Sequence, residues 1–225
     1  MHVVPDLKVL YFGTPVVVIS SRNDDGTTNL APMSSAWWLG RSCLLGLGNH
    51  SQTAANLERD GEAVLNLPHA ALVDAVDRLA LTTGRRDVPD YKRRQGYRYV
   101  SDKFTVAGLS AQPSDVVGPD RVMQCPIQLE CRVMSTRAFG APAVDATAFE
   151  VEVLRTHVEE RLLIPGTSHV DPVRWDPLIM KFTEFFGEGR NVYPSRLAAG
   201  WNMPHRMPAT AAQRRQPARA VEPLH

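Results

Sequence analysis

The chain has 225 residues, 44% of them hydrophobic, and 25 Lys plus Arg against 24 Asp plus Glu give a net charge of +1. A chain of this length can bury one sizeable core, while so small a net charge provides no field that would gather a nucleic-acid backbone. Met1–Lys8 lacks a basic region followed by a long apolar stretch, and no later run reaches the roughly 18 apolar residues that span a bilayer, so the expectation is a cytoplasmic protein with neither nucleic-acid nor membrane partner.

In chain order, the β-branched run Val16–Ile19, the turn-forming Asn23-Asp24-Asp25-Gly26 and a second short run into Ala31-Pro32 predict a hairpin. Pro32 cannot donate to a ladder, so the second strand must end, bulge or lie on an edge there, leaving backbone N–H groups free. Trp37 and Trp38 point to opposite faces if extended, so at most one of them walls a ring site. Cys43–Gly48 is a further strand, Ser51 is an N-cap for a helix over Gln52–Asp60, and Gly61 closes it. Ala63–Leu67 is a strand stopped by Pro68. Leu72, Val73, Val76, Leu79 and Ala80 recur at helical spacing on one face. From Thr82 to Val122 the texture turns to charges, turns and short apolar pieces, a long and partly helical excursion. Strands return at Ile127–Met134 and Thr147–Leu154, where Phe149, Val151 and Val153 alternate with Glu150 and Glu152, one face buried and one wet. The stretch 206–225 has almost no large apolar residue and is expected to be a flexible C-terminal tail after a domain over residues 1–205.

Three cysteines, Cys43, Cys125 and Cys131, are an odd number without an export signal and are expected as reduced core thiols. Cys125 and Cys131 are too far apart for a zinc knuckle and the seven histidines form no HxxxH pair, so no metal is expected.

Two segments could carry chemistry. Asn29-Leu30-Ala31-Pro32-Met33-Ser34-Ser35 is a strand end followed by two hydroxyls, suited to the polar edge of a flat heteroaromatic ring. Taken alone it is also an ordinary turn composition. Asn49-His50-Ser51-Gln52-Thr53-Ala54-Ala55-Asn56 joins a strand end to a helix start, where free N–H groups, the positive dipole end and the Ser51 and Thr53 hydroxyls suit a phosphate dianion. Taken alone, an ordinary N-cap at Ser51 is the better reading. Gly46-Leu47-Gly48 lacks the third glycine and the βαβ context of a dinucleotide fingerprint. No G-x-S-x-G elbow or P-loop is present.

Placed in order, these pieces resemble the flavin reductase-like family of FMN-binding split β-barrels, relatives of flavoredoxins and of the reductases of two-component monooxygenases. The matching stretches are Pro15–Ser20, Asn29–Ser35, Ser51–Asn56 with Gly61–Pro68, Asp102–Leu109, Cys125–Val133, and Val170-Asp171-Pro172 followed by Trp175-Asp176-Pro177-Leu178, within about Val9–Phe186. The resemblance implies a mainly β split barrel with a few peripheral helices that binds FMN, with FAD as the alternative flavin. It lays Ala31, Pro32, Met33, Ser34 and Ser35 along the isoalloxazine ring, with Asn29 ahead of them. It assigns Ser51, Thr53 and Asn56, with Asn49 and His50, to the phosphate and ribityl region, and brings Lys103 and Phe104 to the flavin from a later loop. It implies a homodimer with NAD(P)H as co-substrate, supplying reduced flavin or electrons to a partner such as a monooxygenase. One departure bears on the donor: Ala146 stands where many of these reductases carry a nicotinamide-associated His, and Val151 where they carry Gly. His157 and His169 are the candidates to replace it. Ala146 also keeps open a biosynthetic flavin-pocket enzyme without ordinary NAD(P)H turnover, or a flavoprotein electron carrier.

Overall fold

Four apolar residues in a row at Val16–Ile19 do not alternate as a half-wet strand would, and the computed structural model shows why. Val17 and Ile19 point into one hydrophobic cluster and Val16 and Val18 into a second, so this stretch is buried on both faces. The structure describes residues 1–140, 144–193, 195–201 and 203–204; the expected tail at 206–225 and the boundary before it lie outside the described residues.

The strands β1 (Phe12–Pro15), β2 (Val17–Arg22), β3 (Thr28–Met33), β4 (Ala36–Leu39) and β5 (Ser42–Gly48) precede helix α1 (Gln52–Asp60) and strand β6 (Glu62–Leu67). Helix α2 (Val73–Ala80) follows, and the excursion then runs through β7 (Thr82–Thr83), α3 (Asp90–Arg94), β8 (Arg98–Tyr99), α4 (Lys103–Ala107), β9 (Ala111–Gln112) and β10 (Arg121–Val122). The long strands β11 (Ile127–Phe139) and β12 (Ala146–Val158), the short hairpin β13 (Ile179–Lys181) and β14 (Glu184–Phe186), and α5 (Leu197–Gly200) complete the order. Seven strands form one antiparallel sheet in the order β3-β2-β6-β11-β12-β5-β4. This is the mainly β split barrel the resemblance implied. β11 and β12 outrun the expected strands at both ends of their pairing, because each residue added extends a mutual ladder from Ile127↔Val158 to Phe139↔Ala146.

The first cluster fills the barrel, where Leu45, Leu65, Cys131, Phe149 and Val151 meet Ala54 and Leu57 of α1. Alternation along β12 is as expected, with Phe149, Val151 and Val153 buried. The second cluster lies outside the sheet under α2 and α4, with Leu30, Val76, Leu79, Ala107, Val122 and Leu178 at its centre. Ala75 rather than Ala80 completes the buried stripe of α2.

Local sequence chemistry fixes the ends of α1. The Ser51 side chain accepts from the Ala54 N–H at 3.0 Å, and Gly61 closes the helix with φ +68°, a left-handed cap that glycine adopts without a Cβ penalty. Glu130, fully buried in β11, pins the excursion to the barrel: its carboxylate accepts from the Asp115 N–H at 2.9 Å, the Val116 N–H at 2.6 Å and His157 Nε2 at 2.7 Å. Burial alone would raise its pKa, and these donors hold it below the usual value.

Candidate functional site

β3 is an edge strand, and Pro32 sits on it opposite Val18, where its missing N–H costs no ladder bond. Beyond this edge opens a cleft of about 660 Å3. Asn29, Ala31, Pro32, Met33, Ser34 and Ser35 form one wall, and Ser51, Gln52 and Thr53 at the start of α1 form another. The excursion contributes Thr82, Thr83, Lys92, Tyr97 and Lys103; Tyr11 comes from just before β1, Met180 and Phe185 from β13 and β14, and Thr183 from the turn between those two strands.

One end of the cleft is cationic and rich in hydroxyls. Asn29, 2% exposed, donates through Nδ2 to Thr53 Oγ1 at 3.1 Å, while its Oδ1 is buried without a partner. An orphaned buried carbonyl is costly unless a ligand donor completes it. The Gln52 and Thr53 N–H groups at the open start of α1 find no acceptor among the described residues. Gly84 lies so close that a Cβ there would stand 2.5 Å from Asn29 Oδ1, so only glycine lets the excursion approach. The buried Lys103 uses one of its three N–H donors, to the Leu30 carbonyl at 2.7 Å. Lys92 donates to the His50 carbonyl at 3.2 Å and lies near Arg85. None of Arg85, Lys92 and Lys103 forms an ion pair among the described residues. Burial, with a smaller push from Lys92, lowers Lys103 from 10.5 to about 7, and burial with Arg85 lowers Lys92. Unpaired cations with depressed pKa values gain most from an entering dianion.

The other end is apolar. Val16, Tyr11, Met180 and Phe185 line it, beside the Met33 end of β3. Between the two ends, the Ser34 and Ser35 N–H groups make no hydrogen bond among the described residues, although the Ser35 carbonyl accepts from Gly46 at 2.9 Å. Free donors along one edge, an apolar far wall and a cationic pocket suit a flat ring with acceptors on its rim and an anionic tail. The residues present therefore fit FMN.

The structure brings Asn29, Ala31, Pro32, Met33, Ser34, Ser35, Ser51, Thr53 and Lys103 to the cleft, but not four other expected site residues. Asn49 bonds Asp145 and accepts from Thr147 at 2.7 Å; His50 pairs with Asp145 at 3.0 Å, and only its carbonyl turns toward Lys92. Asn56, fully buried, braces the first hairpin by donating to Ser21 Oγ at 3.0 Å and Asn23 Oδ1 at 3.1 Å. Phe104 packs into the outer cluster. Neither His157, held by Glu130, nor His169, beside a separate surface pocket, lines the cleft, and Ala146 opposes Gly48 at the start of β12. Trp38 packs on the barrel core and Trp37 is exposed, so neither walls the cleft. The three cysteines are free and buried, and burial lifts the Cys43 and Cys125 thiols to about 12.

Lys92, Tyr97 and the 180–185 hairpin were missed by sequence reasoning. A basic and aromatic cluster within an aperiodic excursion was the one available signal for Lys92 and Tyr97.

Residues 9–186 match the model of the flavin reductase like domain. An uncharacterized protein of Bacillus subtilis (strain 168), YdfE, is 37% identical over 187 residues, covering 82% of this chain and 88% of that protein. Among solved structures, flavoredoxin of Desulfovibrio vulgaris (Miyazaki F) superposes with a TM-score of 0.72 at 20% identity, over 89% of this chain and all of that one. Nitrilotriacetate monooxygenase component B from Bacillus cereus gives a TM-score of 0.65 at 19% identity, over 80% of this chain and 86% of its own. At these identities the two structures speak for the fold. No described helix is long and apolar enough to cross a membrane.

Proposed function

This chain belongs to the flavin reductase-like domain family, and from that premise we propose that it is an FMN-dependent oxidoreductase that takes hydride from NAD(P)H and supplies reduced flavin or electrons to a partner. The observation that carries the reading is the polar end of the cleft: an orphaned Asn29 Oδ1 and open N–H groups at the α1 start, beside unpaired Lys92 and Lys103.

Ser51, Thr53, Lys92 and Lys103 hold the phosphate, and the Ser34 and Ser35 N–H groups with the β3 edge orient the ring. Bound flavin supplies the redox chemistry, accepting a hydride and passing on electrons. The chain's own task is placement, so no acid or base residue need act, and none is assigned. The apolar wall of Tyr11, Met180 and Phe185 keeps water from the ring side of the cleft. The protein works in the cytoplasm and forms a homodimer, and exposed Trp37, Leu39 and Phe139 on the barrel strands support the dimer. A monooxygenase is the partner class suggested by the component B likeness.

Adding NADH and NADPH separately to the FMN-loaded protein without oxygen tests this: bleaching of the flavin absorbance supports the reading and identifies the donor. Bound flavin that stays oxidised favours a second reading, a flavin-pocket enzyme or electron carrier without ordinary NAD(P)H turnover. That reading is favoured by Ala146 and by the placement of His157 and His169 away from the cleft.

A further inference from the structure

The hairpin of β13 and β14 turns through two residues, Phe182 and Thr183, between the paired Lys181 and Glu184. Both central residues are left-handed, with φ +46° and φ +75°. A two-residue hairpin turn with positive φ at both positions is the type I′ geometry, which Asn-Gly adopts readily. A β-branched residue there is a steric outlier, because its Cβ substituents crowd the backbone. Turn chemistry therefore gives no reason for Thr183.

The surroundings over-determine the strained tip. The Phe182 N–H donates to the Tyr11 carbonyl at 2.8 Å, and its ring packs edge-on against Phe12 with centroids 5.1 Å apart. These contacts clamp the tip to the segment leading into β1. Thr183 lines the cleft with Met180 and Phe185 from an exposed position, and its hydroxyl bonds to no other described residue, which leaves it open to a ligand. With the Tyr11 phenol it is one of two hydroxyl-bearing side chains on a largely apolar wall. Strain that persists beside a site, at a residue the local geometry disfavours, points to a role for that side chain.

We propose that Thr183 is a flavin-contacting residue, its hydroxyl hydrogen-bonding the polar edge of the bound ring, and that the Phe182–Thr183 turn is held in a strained conformation to present it. The inference rests on the flavin reading above and extends the binding set to a second, distant segment of the chain. Ligand contact and turn relaxation then pull in opposite directions at one position.

Two variants of the full chain, Thr183→Gly and Thr183→Asn, test it by the melting temperature of the flavin-free protein and by FMN affinity from flavin fluorescence quenching. Thr183→Gly melts higher than wild type yet binds FMN about tenfold more weakly. Thr183→Asn also melts higher, since Asn tolerates the left-handed region, and loses less affinity because its carboxamide still bonds. A purely structural residue would move the melting temperature alone. FMN affinity of Thr183→Gly equal to wild type overturns the contact, and lower melting of both variants overturns the strain. Wild-type protein that fails to bind FMN overturns the flavin reading itself, and the contact with it.

Discussion

At one end of the cleft, Asn29, Thr53, Lys92 and Lys103 present charge and unfilled hydrogen-bonding capacity; at the other, Tyr11, Met180 and Phe185 present largely apolar surface beside the hydroxyl of Thr183. The polar end is assembled from a strand edge, a helix start and a long excursion, and Lys92 and Lys103 form no ion pair among the described residues. The apolar end is a small sheet clamped at its tip. Affinity from the first is electrostatic and depends on the ligand's phosphate, whereas affinity from the second is area burial together with the proposed Thr183 hydrogen bond and belongs to the ring. FMN and riboflavin, which differ in that phosphate, separate the two contributions.

The largest effect is expected at Lys103. Lys103→Met should weaken FMN by about 1.5–3 kcal/mol, the worth of a hydrogen bond to a charged group, and leave riboflavin unchanged in parallel titrations. Equal weakening of both flavins would remove the phosphate assignment. Ser51→Ala and Thr53→Ala should each cost FMN roughly 1–3 kcal/mol. Ser51→Ala should also lower the stability of the flavin-free protein by about 1 kcal/mol through the lost N-cap, measurable by urea unfolding.

The pH dependence has a definite sign. Above about 7 the free protein releases the Lys103 proton, so binding a phosphate must take a proton up, and FMN affinity should fall by as much as about tenfold per pH unit. Lys103→Met should flatten that slope. For folding the sign is opposite: the unfolded chain keeps its lysine proton toward 10.5 while the folded chain has lost it. This group therefore adds stability as pH rises from about 7 toward 10.5, and destabilises most below that window. At the apolar end, Phe185→Ala should cost FMN and riboflavin alike, by about 1 kcal/mol for a partly buried ring. Cys125→Ala should lower stability by about 1 kcal/mol through its small cavity and leave flavin affinity untouched.

The parts of this site legible in the sequence are those fixed by local chemistry. Pro32 marks an edge strand because a missing N–H is tolerated there, and Ser51 and Gly61 bracket a helix because caps have few chemical solutions. Asn56 shows the limit of such reading. One helical turn beyond Ser51, it faces the Ser21–Asn23 turn, not the cleft, and a motif cannot say which way a side chain points. Lys92 and Tyr97 reach the cleft through tertiary structure: the parallel pairing of Thr82 with Arg98 folds the excursion back on itself, and two-residue strands leave no periodicity to detect. Thr183 was illegible for another reason. Lys181–Glu184 contains neither Gly nor Asn, so nothing in it announces a left-handed turn.

The measurement that bears most directly on the central claim is an equilibrium titration of the flavin-free chain with FMN and, separately, riboflavin, followed by flavin fluorescence. Saturable binding that is tighter for FMN is the predicted result; no saturable binding, or a preference for riboflavin, would contradict the assignment of the cleft to a phosphorylated flavin.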